Sequence, residues 1–286
     1  EDVTFTEALL VTTTNPIIID GNGHTLTTSA TRAIRLTVGE ANVTISNLNT
    51  VVTAERIGTN DIRGISIDGN IDNVMLTLNN SHVDFTSPSA HDWAYGVNIA
   101  GNSDGHTLTI NGGSYEGANV VNVWGDNHVI TVNGATLTSL YKANEWYCGQ
   151  GIAIEGTGNV VNVSNNIFIG ENAMPIGATD ASANTFNIGN NNTEAMNYYR
   201  FMEGSNFYYT LAEAFSATTE GTIKIINDVE LSDVATVAHG KNIVLNLNGK
   251  NVTGTDMTTT NFSIIDNRGN LTITGPGTIT LTAQNN

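Results

Sequence analysis

Cations are what this chain has least of. It carries ten Lys and Arg against 27 Asp and Glu, a formal net charge of −17 at pH 7. Counterion release from phosphates needs clustered cations, so nucleic acid and anionic membrane surfaces are disfavoured as partners. Acidic polysaccharides such as pectins are repelled as well unless Ca²⁺ intervenes. Charged residues of both signs make up only 13%, against roughly 25% in an ordinary soluble domain. Asn (40) and Gly (29) take up much of the difference, so amides and hydroxyls carry the surface polarity. One cysteine, Cys148, cannot form an internal disulfide, which suits the cytosol and equally a surface protein stabilised by stacked strands. No apolar run approaches the ~20 residues that span a bilayer. The chain opens Glu1-Asp2-Val3 without an initiator Met or a signal h-region, so a removed leader or an excision from something longer is expected. A hydrophobic content of 40% is enough for a continuous core and argues against disorder.

Helical periodicity is also missing from residues 1–190. In its place a strand, an Asn/Gly corner and another strand recur. The clearest copy is Val129–Leu137 (VITVNGATL). Others lie at Ile17–Leu26, Val43–Leu48, Leu76–Val83, Leu108–Tyr115, Val161–Phe168 and Phe186–Asn191, then at Val244–Val252 and Leu271–Ile279. The last apolar residue before each corner is Ile19, Ile45, Leu78, Ile110, Val132, Val163 and Ile188, in steps of 26, 33, 32, 22, 31 and 25 residues. A coil core of about 22–24 residues with lateral insertions fits this spread, the period of a parallel β-helix with three short strands per coil. A second register moves with the first: Ile34–Leu36, Ile65–Ile67, Val97–Ile99, Val121–Val123 and Ile152–Ile154, several of them just after a glycine.

Asn at matching corners can stack from coil to coil, and it tolerates the left-handed backbone of tight corners. The expected organisation is a β-helix module over residues 1–192, an aromatic joint over 193–209, and a cap helix with the opening coils of a second module over 210–286. Thr210–Glu213 fits a capping box, and Leu211, Ala214 and Phe215 share a face. The stretch beyond this helix repeats the chain's beginning: Asp228-Val229 and Asn242–Thr253 parallel Asp2-Val3 and Pro16–Thr27. The next coil is placed 26 residues on, Leu247 to Ile273, as Ile19 to Ile45.

The chain resembles the pectate-lyase-like right-handed parallel β-helix superfamily, an all-β solenoid. More narrowly it is similar to adhesin-like prokaryotic surface proteins, in which a unit LxEAxxxA…GTIxLxxDVxL…NIxLDLNGxxLTG…GxLTIxGxGTI recurs. The matching residues are Leu211–Ala217, Gly221–Leu231, Asn242–Gly254 and Gly269–Ile279. The resemblance implies an extracellular, cell-surface location. Polysaccharide lyases of this fold use clustered Asp for Ca²⁺ with a Lys or Arg base. Here Arg35, with Asp61 and Asp68 one coil away near Arg63, reads as surface pairing. The hydrolases' Asn-Thr-Asp, Asp-Asp, Gly-His-Gly and Arg-Ile-Lys sets do not occur in this sequence, so no catalytic residue is assigned.

His24, His82, His91, His106, His128 and His239 have no ligand spacing on any one strand, so no metal site is assigned. Corners such as Asp20–Asn22 and Asp68–Asn70 offer oxygens to Ca²⁺, although turn chemistry alone explains them, and no other cofactor is implied. The better candidates are aromatic. His91–Tyr95, Trp124–His128 and Glu145–Tyr147 lie on three consecutive coils. Sugar CH groups stack on flat π-faces while hydroxyls bond to carboxylates or amides. The carbohydrate-binding candidates are therefore Trp93, Tyr95, Trp124, Trp146, Tyr147, Asp92, Asp126 and Glu145. The plainer reading is that the rings pack an insertion against the solenoid flank.

The function expected is that of a non-enzymatic extracellular module. It would extend from a cell and offer a lateral face to host or microbial glycans, next to neighbouring modules of a larger surface protein. The likeness of the chain's two ends also suggests head-to-tail stacking of copies into a filament. The rival is a polysaccharide lyase or glycoside hydrolase, which needs two carboxylates converging on one flank.

Overall fold

The structure, a computed structural model, describes residues 1–141, 149–171, 173–180, 183–189, 191–196, 200–204, 206–208, 210–225, 228–231, 233–255 and 263–282. The chain divides into two units, Glu1–Met196 and Asn197–Asn286. No helix among the described residues is long and apolar enough to cross a membrane.

The first unit is a right-handed parallel β-helix with three sheets. Its first sheet stacks Val3–Phe5, Thr25–Thr28, Asn49–Val52, His82–Phe85, Ser114–Gly117, Thr136–Ser139, Ile167–Gly170 and Thr193–Met196. The second stacks Leu9–Val11, Arg32–Leu36, Ile62–Ile67, Ala94–Ile99, Asn119–Trp124, Gly149–Glu155 and Ala173–Ala178. The third stacks Ile17–Asp20, Asn42–Ser46, Met75–Asn79, Thr107–Asn111, Val129–Asn133, Val160–Ser164 and Thr185–Ile188. Each coil takes one strand from each sheet in that order.

Strand alternation sets the register. Leu76, Leu78, Leu108 and Ile110 point inward and are buried, while Thr77 and Thr109 between them face out. All seven anchor residues read from the sequence fall on the third sheet, each opposite the next from Ile19 to Ile188. The second register is equally continuous, Ile34 opposite Ile65, then Val97, Val121 and Ile152.

Most of the unevenness in the steps comes from one corner. Between the first and second sheets, residues 53–61 and 86–93 are inserted in the third and fourth coils, and in the sixth the strands Thr136–Ser139 and Gly149–Glu155 are a similar number of residues apart. The fifth coil crosses the same corner with Ala118 alone, hence its 22-residue step. The glycines before the second-sheet register also have a cause. A Cβ on Gly64 would lie 2.3 Å from Val83 Cγ1, and one on Gly151 would lie 2.5 Å from Phe168 Cδ1. Only a bare backbone lets the second sheet turn in against the first there.

The corner from the third to the first sheet belongs to Asn. Asn22, Asn47, Asn80 and Asn165 have φ of 48°, 51°, 44° and 57°, and Gly112 and Gly134 replace them in the fourth and fifth coils. Asn80 Nδ2 donates to Asn47 Oδ1 at 3.3 Å. Beside this outer row, Asn166 is fully buried. Its Oδ1 accepts from Ala135 N–H and its Nδ2 donates to the Val132 carbonyl, both at 2.8 Å.

In the second unit an antiparallel hairpin, Phe201–Glu203 with Asn206–Tyr208, edges a parallel sheet of Glu220–Ile225, Asn242–Asn246 and Asn270–Thr274. Val229–Leu231, Lys250–Thr255 and Gly277–Thr282 form its second sheet, Ala235–Val237 and Ile265–Asn267 its third. The helix Leu211–Ala217 opens with a capping box on Thr210 and buries Leu211, Ala214 and Phe215 in this unit's core with Phe201, Ile223 and Val237. The stretch 193–209 is thus divided: Thr193–Met196 is the last rung of the first unit, and residues 201–208 make the hairpin of the second.

Residues 226 apart do the same work in the two units. Asn248 and Gly249 take φ of 51° and 77°, Asn22 and Gly23 φ of 48° and 79°. Asn248 N–H donates to Asn246 Oδ1 as Asn22 N–H donates to Asp20 Oδ1, both at 2.9 Å. Asn251 N–H donates to Asp228 as Thr25 N–H donates to Asp2, both at 2.8 Å. One register differs from expectation: Ile273 lies opposite Leu245, a coil of 28 residues, and not Leu247. Leu247 occupies the corner, where it is also buried, so the apolar alternation runs past the end of the strand and hides its limit.

Removing both hydrogen bonds of a buried amide leaves two groups unsatisfied. Asn166→Ala is expected to lower unfolding stability by about 2–4 kcal/mol in urea titration. Asn191→Ala, on the exposed outer row next to Asn165, is expected to stay within about 0.5 kcal/mol.

Candidate functional site

The two complete insertions are fastened to each other. Arg56 N–H donates to Ser89 Oγ at 2.9 Å, and the Arg56 guanidinium lies over the Trp93 ring, 4.2 Å from its centroid. Trp93 ends a one-turn helix, Ala90–Trp93, and remains 44% exposed. A guanidinium on an indole face is attracted by the ring quadrupole, so one face of the ring is held and the rest of the side chain stays in water. Asp92 beside it is exposed.

Directly after this helix Tyr95 enters the second sheet, buried, with Arg63 of the preceding coil 5.9 Å from its ring. Arg63 pairs with Asp61 at 3.4 Å, and Arg35 takes Asp68 with its Nε at 3.3 Å and with Nη2. The pairing expected for these arginines is therefore present. Arg32, opposite Arg63, reaches Asp68 only at 3.9 Å and lines an open depression of about 230 Å³ with Arg35, Asn60 and Asp61. Four of the chain's ten cations, Arg32, Arg35, Arg56 and Arg63, are gathered at this corner over two coils.

The other candidates are placed elsewhere. Trp124 ends its second-sheet strand, against Gly101, at the far end from the Tyr95 row. About five residues of strand, roughly 17 Å, separate the two ends. Asp126 beyond it accepts from Thr157 N–H at 2.7 Å and Thr157 Oγ1 at 3.0 Å, bonds that hold its carboxyl below the usual range. Asp92, Trp93 and Tyr95 therefore share one corner, Trp124 and Asp126 another. Glu145, Trp146 and Tyr147 lie outside the described residues.

A patch that the sequence pattern alone did not single out lies beside Trp93. The helix Ala90–Trp93 sits against the strand Ser114–Gly117. On the outer face of the first sheet, His82 and Asp84 occupy one rung, Ser114 and Glu116 the next. His82 Nδ1 and Ser114 Oγ are 2.6 Å apart. Burial raises the Asp84 carboxyl, with the His82 charge working against it. Burial first, and then the Asp84 charge, raise Glu116, while the Phe85 N–H acts to lower it. Two carboxyls that resist ionisation can share a proton or take roles as acid and base. The signal was present in the sequence. His82-Val-Asp84 and Ser114-Tyr-Glu116 come after equivalent corners at the same offset, visible once the repeats are extended by one residue. No group of three or more His, Cys, Asp or Glu able to hold a metal ion is found among the described residues.

The chain was compared with models of protein families, with curated proteins and with solved structures, and none matches it.

If the two carboxyls sense each other, Asp84→Asn removes a negative neighbour of Glu116. The Glu116 carboxyl is then expected to titrate at lower pH than in the wild type, read by NMR of its side-chain carboxyl carbon. An unchanged titration would show burial to be the whole cause.

Proposed function

We propose that this chain is a non-catalytic, extracellular β-helical module of the adhesin-like, pectate-lyase-like kind, whose lateral flank holds a glycan. One observation carries the reading: Trp93, held by Arg56 yet 44% exposed, on a helix packed against the strand that bears Ser114 and Glu116. A flat aromatic edge beside hydroxyl, imidazole and carboxyl groups matches the two needs of a sugar ring, stacking and hydroxyl bonding. Binding on an exposed flank also suits a solenoid, whose inward rows are buried side chains. On a glycan array the intact chain is expected to bind, and Trp93→Ala to lose at least tenfold in apparent affinity with its circular dichroism unchanged. An array without hits, or equal binding by the variant, overturns the reading.

The polysaccharide hydrolase remains the second reading, and the Asp84–Glu116 pair is what favours it. Adjacent rungs lie about 4.8 Å apart, close to the roughly 5–5.5 Å between the carboxyls of retaining glycosidases. Release of reducing ends from polysaccharides, abolished by Glu116→Gln, would establish this reading over the first. Glycan binding without any product would dismiss it.

A further inference from the structure

The corner between the second and third sheets carries its own ladder. From the fourth coil to the seventh, the residue just before the third-sheet strand reaches back to the preceding coil. His106 Nδ1 accepts from Val74 N–H at 3.0 Å, and His128 Nδ1 from His106 N–H at 3.0 Å. Asn159 Oδ1 accepts from His128 N–H at 2.8 Å, and Asn184 Oδ1 from Asn159 N–H at 2.9 Å. Two imidazoles and two amides thus do one job. Both imidazoles are fully buried and stacked, their centroids 4.9 Å apart and their planes 9° from parallel. Only an unprotonated nitrogen accepts from a backbone N–H, so each ring is neutral with its proton on Nε2. His128 Nε2 donates to the Trp124 carbonyl at 3.3 Å, and His106 Nε2 has no partner among the described residues.

We propose that this corner is an acid-released latch: protonation of His106 and His128 unfastens the turns 100–106 and 125–128 from the preceding coils, while the Asn-held corners after them stay closed. An imidazolium has two donors and no acceptor. Its new Nδ1–H would face the Val74 or His106 N–H, turning the fastening bond into a contact between two donors. Protonating both rings would also set like charges face to face, away from water.

The charged groups facing the pair are Asp72, Asp104 and Asp126. All three favour imidazolium, and two of them are already engaged by other donors. Asp72 already takes the Asp104 N–H at 2.8 Å, and Asp126 is bonded to Thr157. Burial, and after it the neighbouring His128, bring His106 down to about 4, and burial lowers His128 as well. A ring that refuses a proton when latched accepts one near pH 6.5 when released. Opening is therefore favoured as pH falls from about 6.5 towards 4, and closure as it rises again.

Native-state hydrogen exchange on the full chain tests the latch with an internal control. The amides of Val74 and His106 are bonded to imidazole, those of His128 and Asn159 to side-chain amides. From pH 7 to pH 4, after correction for intrinsic rates, protection of the first two is expected to fall at least tenfold relative to the second two. In the double variant H106N/H128N, which puts the residue of positions 159 and 184 into the histidine positions, that difference is expected to vanish. Should the double variant fold poorly at pH 7, H128N alone is expected to restore protection at His106 N–H but not at Val74 N–H. Equal loss at all four amides, or a variant as acid-sensitive as the wild type, overturns the proposal.

Discussion

Parallel register between coils is the constraint on which everything else depends. Each rung is held by the rungs before and after it, so a position in one coil is bound to the same position in its neighbours. Inward positions must then form continuous apolar rows, as Ile34, Ile65, Val97, Val121 and Ile152 do. The outward rows and the corners are left free. Most residues of chemical interest in the first unit lie in one of those two places.

The same stacking accounts for the scarcity of charge. Outward residues of one register lie about 4.8 Å apart along the solenoid, and like charges at that spacing repel. Thr and Asn suffer no such penalty, and Thr44, Thr77, Thr109 and Thr131 form an outward row of this kind. Where charges do share a row, the structure compensates or is perturbed. Arg32 and Arg63 face each other across a rung with Asp61 and Asp68 brought to them. Among the described residues no Lys or Arg pairs with Asp84 or Glu116, and burial raises both carboxyls.

Much of this was legible in the sequence because a solenoid writes its fold locally. The anchor row Ile19 to Ile188, the glycines before the second register and the capping box at Thr210 each need only a few neighbouring residues to be recognised. The end of the strand at Asn246 was not legible, since Leu247 in the corner continues the alternation that Ile243 and Leu245 begin. The candidate site was legible only in part. Trp93 and Tyr95 stand out as aromatics, but their arginine partners Arg56 and Arg63 come from the preceding coil, 37 and 32 residues earlier. Which coil an insertion leans on is decided by packing, and no periodicity records it. Trp124 ends its strand where Trp93 precedes one, an offset readable in the sequence, and it lies at the opposite corner.

The scattered histidines show the limit of reading residue types without register. His106 and His128 have no ligand spacing along the chain, yet they are the same position on successive coils, as are Asn159 and Asn184 after them. An Asn at that place suffices to hold the corner, so imidazole is not required by the fold. Burying two neutral imidazoles where an amide would serve leaves one Nε2–H without a partner among the described residues, a cost a purely structural ladder has no need to bear. The corner is therefore where this solenoid's fastening and its response to solution conditions can be the same set of bonds. The outer Asn rows cannot combine the two, because an amide accepts its neighbour's N–H at every pH at which the protein folds.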